Sequence, residues 1–358
     1  MNMKTSALIY KIASLVSISL IAILTWAWLN YNQAITTPII TNNAITIEVN
    51  KGDSFEQVTK KLLAQQISFN PIWFKLLAVQ KKLATKLKTG EFELTPGMTL
   101  PQVLEHLVYG KRKQYSITFP EGRSFKEILQ ITSSNPDLEH CISVANADQI
   151  VSEISISTPH LISVDEQGNT ISSTQKIEGL LFPDTYFFEK HTSDKDILTR
   201  AFNKMQNVLN DQWQNKADNI PLKSPYEALI LASIIEKETA QVSERPQISG
   251  VFTRRLQSGM LLQTDPTVIY GMGENYKGNI SHQDLITQTP YNTYMIKGLP
   301  PTPIAMPGLE AIKAALHPDQ SNNLYFVAKG DGSHQFSPTL AEHNIAVDNY
   351  QRNKSAPR

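Results

Sequence analysis

The sequence is poor in the features that mark several classes of protein. Its 358 residues include one cysteine, Cys141, so neither an intramolecular disulfide nor a zinc site of several cysteines can form. The 33 lysines and arginines balance the 33 aspartates and glutamates, so no net positive charge is available to hold a nucleic acid backbone. The histidines lack the spacing of a zinc protease motif. We therefore expect no nucleic acid partner, no metal ion and no cofactor.

Charge is also missing near the beginning of the chain. Residues 12–31 contain no aspartate, glutamate, lysine or arginine, and a helix of about 20 residues spans the hydrocarbon core of a bilayer. Lys4 and Lys11 precede this run, and the next charged residue is Glu48. The positive-inside rule then predicts a cytoplasmic N-terminus at residues 1–11, one transmembrane helix and an extracytoplasmic (periplasmic) remainder. A cleaved signal peptide is the alternative, but its apolar core is usually about 7–15 residues long.

The next residues, 32–43, are uncharged and show no periodicity, which predicts a short linker. AITIEV then alternates apolar and polar residues as a strand does, and GEFEL at 90–94 predicts a second strand. Two helices are predicted between these strands, beginning after Ser54 and Asn70. Residues 44–115 are therefore expected to form a small βααβ module.

This predicted module resembles a LysM module, a small domain that binds the N-acetylglucosamine-containing glycans of cell walls. The resemblance rests on the element order and on NKGDSFEQV after the first strand. The same pattern of a turn and a helix start recurs in GMTLPQV and GRSFKEI, which predicts capping boxes at Ser54, Thr99 and Ser124. A structural spacer without glycan binding is the alternative.

The rest of the chain is predicted to be a mixed α+β domain at residues 116–350. Within it, the polar and interrupted residues 133–175 predict variable loops, and LYFVAKGDGSHQFS at 324–337 predicts a hairpin. Residues 351–358 have no apolar anchor and predict a disordered tail. The expected fold class is α+β, with the transmembrane helix, the LysM-like module and this larger domain in that order.

The most informative segment is SPYEALILASIIEKET, an apolar helix that ends in charge. Ser224 is positioned to cap this helix. At about 100° per residue, Ser233 shares a face with Glu236, whereas Glu238 lies on another face and suits a structural partner for a cation. A glutamate at a helix end is usually solvated. The alternative for Glu236 is a reactive group held in a dry cleft.

Several long motifs then point to a family. LASIIEKET, VFTRRLQSGMLLQTDPTVIYGMG, TPYNTYMIKGLPPTPIAMPG and LYFVAKGDGSHQF resemble the MltG (YceG-like) family of endolytic murein transglycosylases. The resemblance covers most of the chain from FPEGRSF at 119–125 to Tyr350, and a membrane anchor followed by a LysM-like module is the family's domain order. It implies a lytic transglycosylase that cleaves nascent peptidoglycan strands between N-acetylmuramic acid and N-acetylglucosamine and limits their length.

The resemblance assigns the family's catalytic acid to Glu236. This residue would protonate the glycosidic oxygen and then take the proton of the C6 hydroxyl group, which leaves a 1,6-anhydro end. Amide, hydroxyl and tyrosine side chains of the same motifs suit a sugar, and the expected substrate-binding residues are Ser233, Gln263, Thr264, Asp265, Tyr291, Asn292, Thr293 and Tyr294. Family behaviour also implies peptidoglycan synthases as partners at the inner membrane.

Two other functions stay open at the level of the sequence. A hydrolase of the same bond would use Asp265 as a second carboxylate and would leave a reducing end. A non-catalytic, membrane-tethered scaffold that binds the cell wall would use Glu236 only as a helix end. The chemical nature of the product ends and the effect of Glu236→Gln distinguish the three.

Overall fold

The structure of the protein is a computed structural model that describes residues 3–142 and 177–352. The chain divides into two compact units, Met1–Tyr115 and Ser116–Arg358. Most of the predicted variable loops and of the predicted tail lie outside the described residues.

The first unit begins with a long helix that leads into a small module of helices and strands. Its elements are α1 (Met3–Thr36), β1 (Ile45–Val49), α2 (Phe55–Ala64), α3 (Pro71–Gln80), β2 (Gly90–Leu94) and α4 (Leu100–Tyr109). β1 pairs antiparallel with β2, and the buried side chains of Ile47 and Phe92 lie opposite each other. The predicted βααβ order is therefore present, with α4 following it.

The helix starts in this module follow from local hydrogen bonds. Ser54 Oγ accepts from the Gln57 N–H at 3.2 Å, and the Gln57 side chain accepts from the Ser54 N–H at 2.7 Å. The Gln102 side chain likewise accepts from the Thr99 N–H at 2.8 Å. These bonds satisfy N–H groups that have no partner within a helix.

Within the described residues, α1 is long and apolar enough to cross a membrane, by length and composition. It is longer than the predicted helix at 12–31, because it continues to Thr36. Beyond it, the Ile39 N–H donates to the Met98 carbonyl at 2.8 Å, and Ile40 is 1% exposed. The apolar side chains of this stretch pack on the module's core, so the predicted linker is a packed segment and not a free tether.

The second unit contains most of the helices. Its elements are β3 (Tyr115–Thr118), which begins at the boundary, α5 (Phe125–Ser133), β4 (Thr185–Phe188), α6 (Asp194–Gln214), α7 (Pro225–Glu238), α8 (Arg245–Gln257), α9 (Asp265–Met272), α10 (His282–Ile286), α11 (Leu309–Leu316), β5 (Tyr325–Ala328), β6 (His334–Ser337) and α12 (Leu340–Val347). β3 pairs with β4, and β5 pairs antiparallel with β6 as the predicted hairpin. The mixed α+β class is confirmed.

Helix α7 lies in the core of the second unit. It packs against α6, α8, α9 and α11, and every residue from Ala228 to Ile235 is buried. Ser224 accepts from the Glu227 N–H, and Pro225 occupies the first turn, so the helix starts where the sequence predicts. A helix that is apolar on all sides must be surrounded by other elements. Its charged end is therefore the point at which it leaves the core.

Candidate active site

Helix α7 ends with two glutamates that lie in different surroundings. Glu236 and Glu238 follow the buried stretch, and the chain becomes extended at Thr239. Residues two apart on a helix are separated by about 200° around its axis. The two carboxyl groups therefore leave the helix on different sides, one into a closed junction and the other towards an open cavity.

The carboxylate of Glu236 is held in a buried ion pair. Its Oε1 accepts from Arg245 Nη2 at 2.7 Å, and its Oε2 accepts from the Gly308 N–H at 3.0 Å. The side chains of Glu236 and Arg245 are 6% and 5% exposed. Burial raises the pKa of Glu236, while the Gly308 N–H and Arg245 oppose this rise by stabilising the carboxylate. Both carboxylate oxygens thus have partners within the protein.

Two glycines allow the chain to close around this ion pair. Gly122 has a φ of 72°, and its N–H donates to the Met306 carbonyl at 2.8 Å. A Cβ atom at Gly122 would lie 3.8 Å from Glu236 Cγ, and the Gly308 N–H donates to Glu236 Oε2 at 3.0 Å. The segments around Gly122 and Gly308 therefore pack directly over Glu236.

Glu238 lies on the other side of α7, beside Thr264. The hydroxyl group of Thr264 donates a hydrogen bond to Glu238 Oε1. Burial raises the pKa of Glu238 to about 7; the charge of Asp265 also raises it, whereas Thr264, His334 and Arg255 lower it. A carboxyl group with a pKa near 7 is present in both protonation states at neutral pH, which allows it to give and to take a proton.

Glu238 lines an open cavity of about 480 Å³. The polar part of the wall comes from α8, from the start of α9, from the loops before α9 and α11, from β6, from α12 and from the end of the chain's described part: Arg255, Gln263, Asp265, Tyr294, His334, His343 and Gln351. The apolar part comes from β5 and α12, and it includes Tyr325, Phe326, Val327, Leu340 and Val347. Ligand sites commonly combine an apolar wall with a few polar groups that fix the ligand's orientation.

Four of the predicted substrate-binding residues gather at Glu238. Gln263, Asp265 and Tyr294 line the cavity, and the Tyr294 hydroxyl group donates to Asp265 Oδ1 at 2.6 Å. Thr264 is 2% exposed and contacts Glu238 directly. The structure therefore brings these residues to the second glutamate of α7 and not to the buried ion pair.

The other four predicted substrate-binding residues are buried: Ser233, Tyr291, Asn292 and Thr293. The hydroxyl group of Ser233 donates to the Ile230 carbonyl at 2.7 Å and accepts from the Ile304 N–H at 3.0 Å. This hydroxyl group is fully buried and has partners for both roles, so Ser233 connects α7 to the loop at Ile304.

The segment from Tyr291 to Thr293 is held in a similar way. The side-chain amide of Asn292 donates to three backbone carbonyls at the end of α10, those of Asp284, Leu285 and Thr287, the shortest bond being 2.6 Å. The hydroxyl groups of Tyr291 and Thr293 each pair with another buried threonine at 2.8 Å. These residues support the loop that carries Tyr294, and their expected contact with a substrate stays a prediction.

Four polar residues of the cavity were not found from the sequence: His343, Gln351, Arg255 and His334. The contacts of the last two are well defined. The ring Nδ1 of His334 lies 2.7 Å from Glu244 Oε2, and its backbone N–H donates to Glu244 Oε1 at 3.0 Å. Arg255 Nε donates to the Leu324 carbonyl at 2.8 Å. These contacts hold both side chains in place at the cavity. No spacing in the sequence links them to α7, and the one available signal is the position of His334 after the turn of the hairpin.

The donor set of the cavity suits a carbohydrate. Its amide, hydroxyl, imidazole and guanidinium groups match sugar hydroxyl and acetamido groups, and its tyrosine rings match the apolar face of a pyranose. Across residues 3–142 and 177–352, no three or more His, Cys, Asp or Glu side chains are grouped so that they could hold a metal ion.

Comparisons with known proteins agree on one family. The sequence model of the YceG-like family matches residues 47–349. An endolytic murein transglycosylase of Bacillus subtilis is 31% identical over 331 residues, which cover 91% of this chain and 90% of that protein. An endolytic murein transglycosylase of Streptococcus pneumoniae is 25% identical over 87% of this chain and 59% of its own length. The crystal structure of a yceG-like protein from Listeria monocytogenes has a TM-score of 0.54 at 30% identity, covering 86% of this chain and all of that one.

Proposed function

The chain belongs to the YceG-like family, and from that premise we propose that it is a peptidoglycan lytic transglycosylase whose reacting group is the carboxyl of Glu238. The family match and the relatives named endolytic murein transglycosylase support cleavage of peptidoglycan. One observation carries the choice of residue: Glu238 lines the cavity with Asp265 and Tyr294, and its pKa is raised to about 7. The motif-based choice of Glu236 is the competing proposal, and the ion pair with Arg245 speaks against it.

A single carboxyl group is sufficient for this reaction. Protonated Glu238 donates its proton to the glycosidic oxygen between N-acetylmuramic acid and N-acetylglucosamine, and the bond from that oxygen to C1 of N-acetylmuramic acid breaks. The resulting carboxylate then takes the proton of the C6 hydroxyl group while O6 bonds to C1. The product ends in 1,6-anhydro-N-acetylmuramic acid, no water is consumed, and Glu238 is protonated again. A pKa near 7 serves both steps at neutral pH.

The neighbouring side chains have separate parts in this proposal. Asp265 is oriented by the Tyr294 hydroxyl group and carries negative charge into the cavity, where it would stabilise the positive charge that develops at C1. Gln263 is exposed at the cavity and offers an amide to the sugar's hydroxyl or acetamido groups. Thr264 positions the Glu238 carboxyl group through its hydrogen bond.

The presence of Asp265 in the same cavity is also the observation that favours a second candidate. A hydrolase would use Glu238 as the acid and Asp265 as the base or nucleophile, as in glycosidases with two carboxylates. Its product would carry a reducing end, because water and not O6 would reach C1. The chemistry of the new end therefore distinguishes the two candidates directly.

The proposed setting is the outer face of the inner membrane. Helix α1 supports a single-pass anchor, and Lys4 and Lys11 favour a cytoplasmic N-terminus. The second unit would then cleave internal bonds of nascent strands close to the membrane, limiting strand length, alongside the synthases that make them. The LysM-like module would bind glycan in the same strands.

The first experiment compares the full-length protein with Glu238→Gln and Glu236→Gln on purified, uncross-linked glycan strands. Mass spectrometry of the products identifies anhydro and reducing ends. We expect anhydro ends from the wild type and a loss of about 10²–10⁴-fold in rate for Glu238→Gln, the usual contribution of a general acid. Glu236→Gln is the matched control, because it makes the same chemical change two residues away.

Each possible outcome assigns the reaction. An inactive Glu236→Gln that is folded, together with an active Glu238→Gln, would move the acid to Glu236. Reducing ends from the wild type would favour the hydrolase and make Asp265→Asn the next variant. Full activity of both variants would leave the two glutamates as structural residues.

A further inference from the structure

Helix α3 of the first unit carries an apolar stripe that faces solvent. Ile72, Leu76 and Val79 are 70%, 47% and 59% exposed, and their spacing puts them on one side of the helix. The opposite side, with Phe74, Leu77 and Ala78, is buried in the module's core. Three large apolar side chains in a row on a short helix form a patch of the kind that marks an interaction surface.

The chain segment that carries this stripe has charged residues of one sign only. Residues 71–90 contain five lysines and no aspartate or glutamate. Lys75 lies on the same side of α3 as the stripe, and the others follow the helix directly: Lys81, Lys82, Lys86 and Lys88. All five are exposed, and Lys81 also contacts Glu105 at 2.6 Å. The partner of this surface should therefore be apolar and negatively charged.

The same helix lies close to the end of the membrane-spanning segment. The Tyr31 hydroxyl group of α1 donates to Gln80 Oε1 at 2.6 Å, and the rings of Tyr31 and Trp73 are 5.7 Å apart. Tyr31 therefore contacts both halves of α3, so this helix lies at the level of Tyr31 along α1. About 80–100° separates the Trp73 and Gln80 side of α3 from the stripe.

The distance along α1 puts α3 at the depth of lipid headgroups. The exposed apolar side chains of α1 continue to Leu29, and a rise of 1.5 Å per residue places Tyr31 only about 3 Å further on. The headgroup region on each side of a bilayer is roughly 5–8 Å thick. A helix at the level of Tyr31 thus meets the membrane surface if α1 spans the membrane.

We propose that α3 rests on the outer surface of the bilayer that α1 crosses, with Ile72, Leu76 and Val79 at the boundary between headgroups and acyl chains and the lysines on the phosphates of anionic lipids. This arrangement is that of an amphipathic helix in a membrane interface. It makes the first unit a membrane-bound platform with a fixed orientation, held by α1 and α3 together.

A second copy of the chain fits this surface less well. A symmetric dimer through the stripe would bring the same face of two chains together, and with it two sets of five lysines. The repulsion between them would oppose such a contact. An anionic bilayer instead satisfies the apolar and the charged parts of the surface at once.

The test uses the full-length chain in lipid nanodiscs, with Cys141→Ser as background and a nitroxide label on a new cysteine. Ile72→Cys and Val79→Cys report on the stripe, and Leu20→Cys reports on α1. The control is Lys60→Cys on α2, whose side chain is 73% exposed. Collision rates with oxygen, which enters lipid, and with a water-soluble nickel chelate measure the depth of each label.

We expect the ratio of the oxygen collision rate to the nickel-chelate collision rate to be several-fold higher for the labels at Ile72 and Val79 than for the label at Lys60. This difference should be larger in nanodiscs that contain phosphatidylglycerol than in nanodiscs of phosphatidylcholine alone. Changing Lys75, Lys82, Lys86 and Lys88 to glutamine should remove this lipid dependence.

The proposal would be overturned if the labels at Ile72 and Val79 collided with the nickel chelate as often as the label at Lys60 does. If the label at Leu20 still lay in lipid, the membrane anchor would remain intact. Dipolar broadening between two labelled chains would overturn the proposal in favour of a dimer. Catalysis does not enter these measurements, so they are independent of the proposed reaction.

Discussion

Glu236 and Glu238 are the same residue type on the same helix, and their surroundings separate them. Glu236 shares a closed junction with Arg245 and the Gly308 N–H, whereas Glu238 lines an open cavity and accepts one hydrogen bond from Thr264. Burial raises the pKa of both carboxyl groups, but at Glu236 the Arg245 guanidinium and the Gly308 N–H oppose the rise by pairing with the charged form. At Glu238 the hydrogen bond from Thr264 opposes the same effect, and the pKa rises to about 7. Environment and not residue type thus decides which carboxyl group is suited to proton transfer.

The largest expected effect is the difference in rate between the two glutamine variants. Glu238→Gln keeps the size of the side chain but removes the transferable proton, so kcat should fall by about 10²–10⁴-fold with little change in substrate binding. Glu236→Gln should retain most of the wild-type kcat in the folded fraction of the protein. Release of anhydro ends, normalised to folded protein by circular dichroism, measures both. Equal losses in the two variants would remove the functional distinction between the glutamates.

The second prediction concerns the stability of the closed junction. Arg245→Met removes one partner of the buried pair and leaves the Glu236 carboxylate uncompensated, which should cost about 3–5 kcal/mol in the free energy of unfolding. Urea denaturation of the full-length protein in detergent measures it. Replacing both partners, Glu236→Leu with Arg245→Met, should recover much of the loss. A single variant as stable as the wild type would mean that the pair contributes little to the fold.

The third prediction extends the comparison to Ser233, which shares a face of α7 with Glu236. Ser233→Ala removes the acceptor of the Ile304 N–H and leaves that group unpaired in the core, at a cost of about 1–3 kcal/mol. The KM for glycan strands should stay unchanged, because the side chain is fully buried. A raised KM with unchanged stability would instead restore the sequence-based role of Ser233 in substrate binding.

Sequence reasoning located α7, its cap and the divergence of its glutamates, because helix periodicity and capping depend on neighbouring residues. It could not determine which glutamate faces a cavity. The cavity is formed by the hairpin, by α12 and by the loops at Gln263 and Tyr294, which approach α7 only in the folded chain. For the same reason it could not separate Tyr294, which lines the cavity, from Asn292, whose side-chain amide is buried against three backbone carbonyls.

The smallest expected effect is a shift in pH dependence caused by Thr264→Val. Catalysis requires protonated Glu238, so kcat/KM should fall as the pH rises above about 7, the pKa of that carboxyl group. The Thr264 hydroxyl group stabilises the carboxylate and lowers this pKa, so removing it should raise the pKa further and move the alkaline limb to higher pH. The change in kcat at the optimum should stay below about tenfold, because valine keeps the shape but loses the bond that orients the acid.

Glu236 supplies the comparison that makes this shift informative. Its hydrogen bonds come from Arg245 and Gly308, and none of them involves Thr264. A pH profile governed by Glu236 would therefore be the same in the wild type and in Thr264→Val. An alkaline limb that moves to higher pH in Thr264→Val would identify Glu238 as the titrating acid. An alkaline limb at the same pH in both proteins would mean that the group responsible for the pH profile is not Glu238.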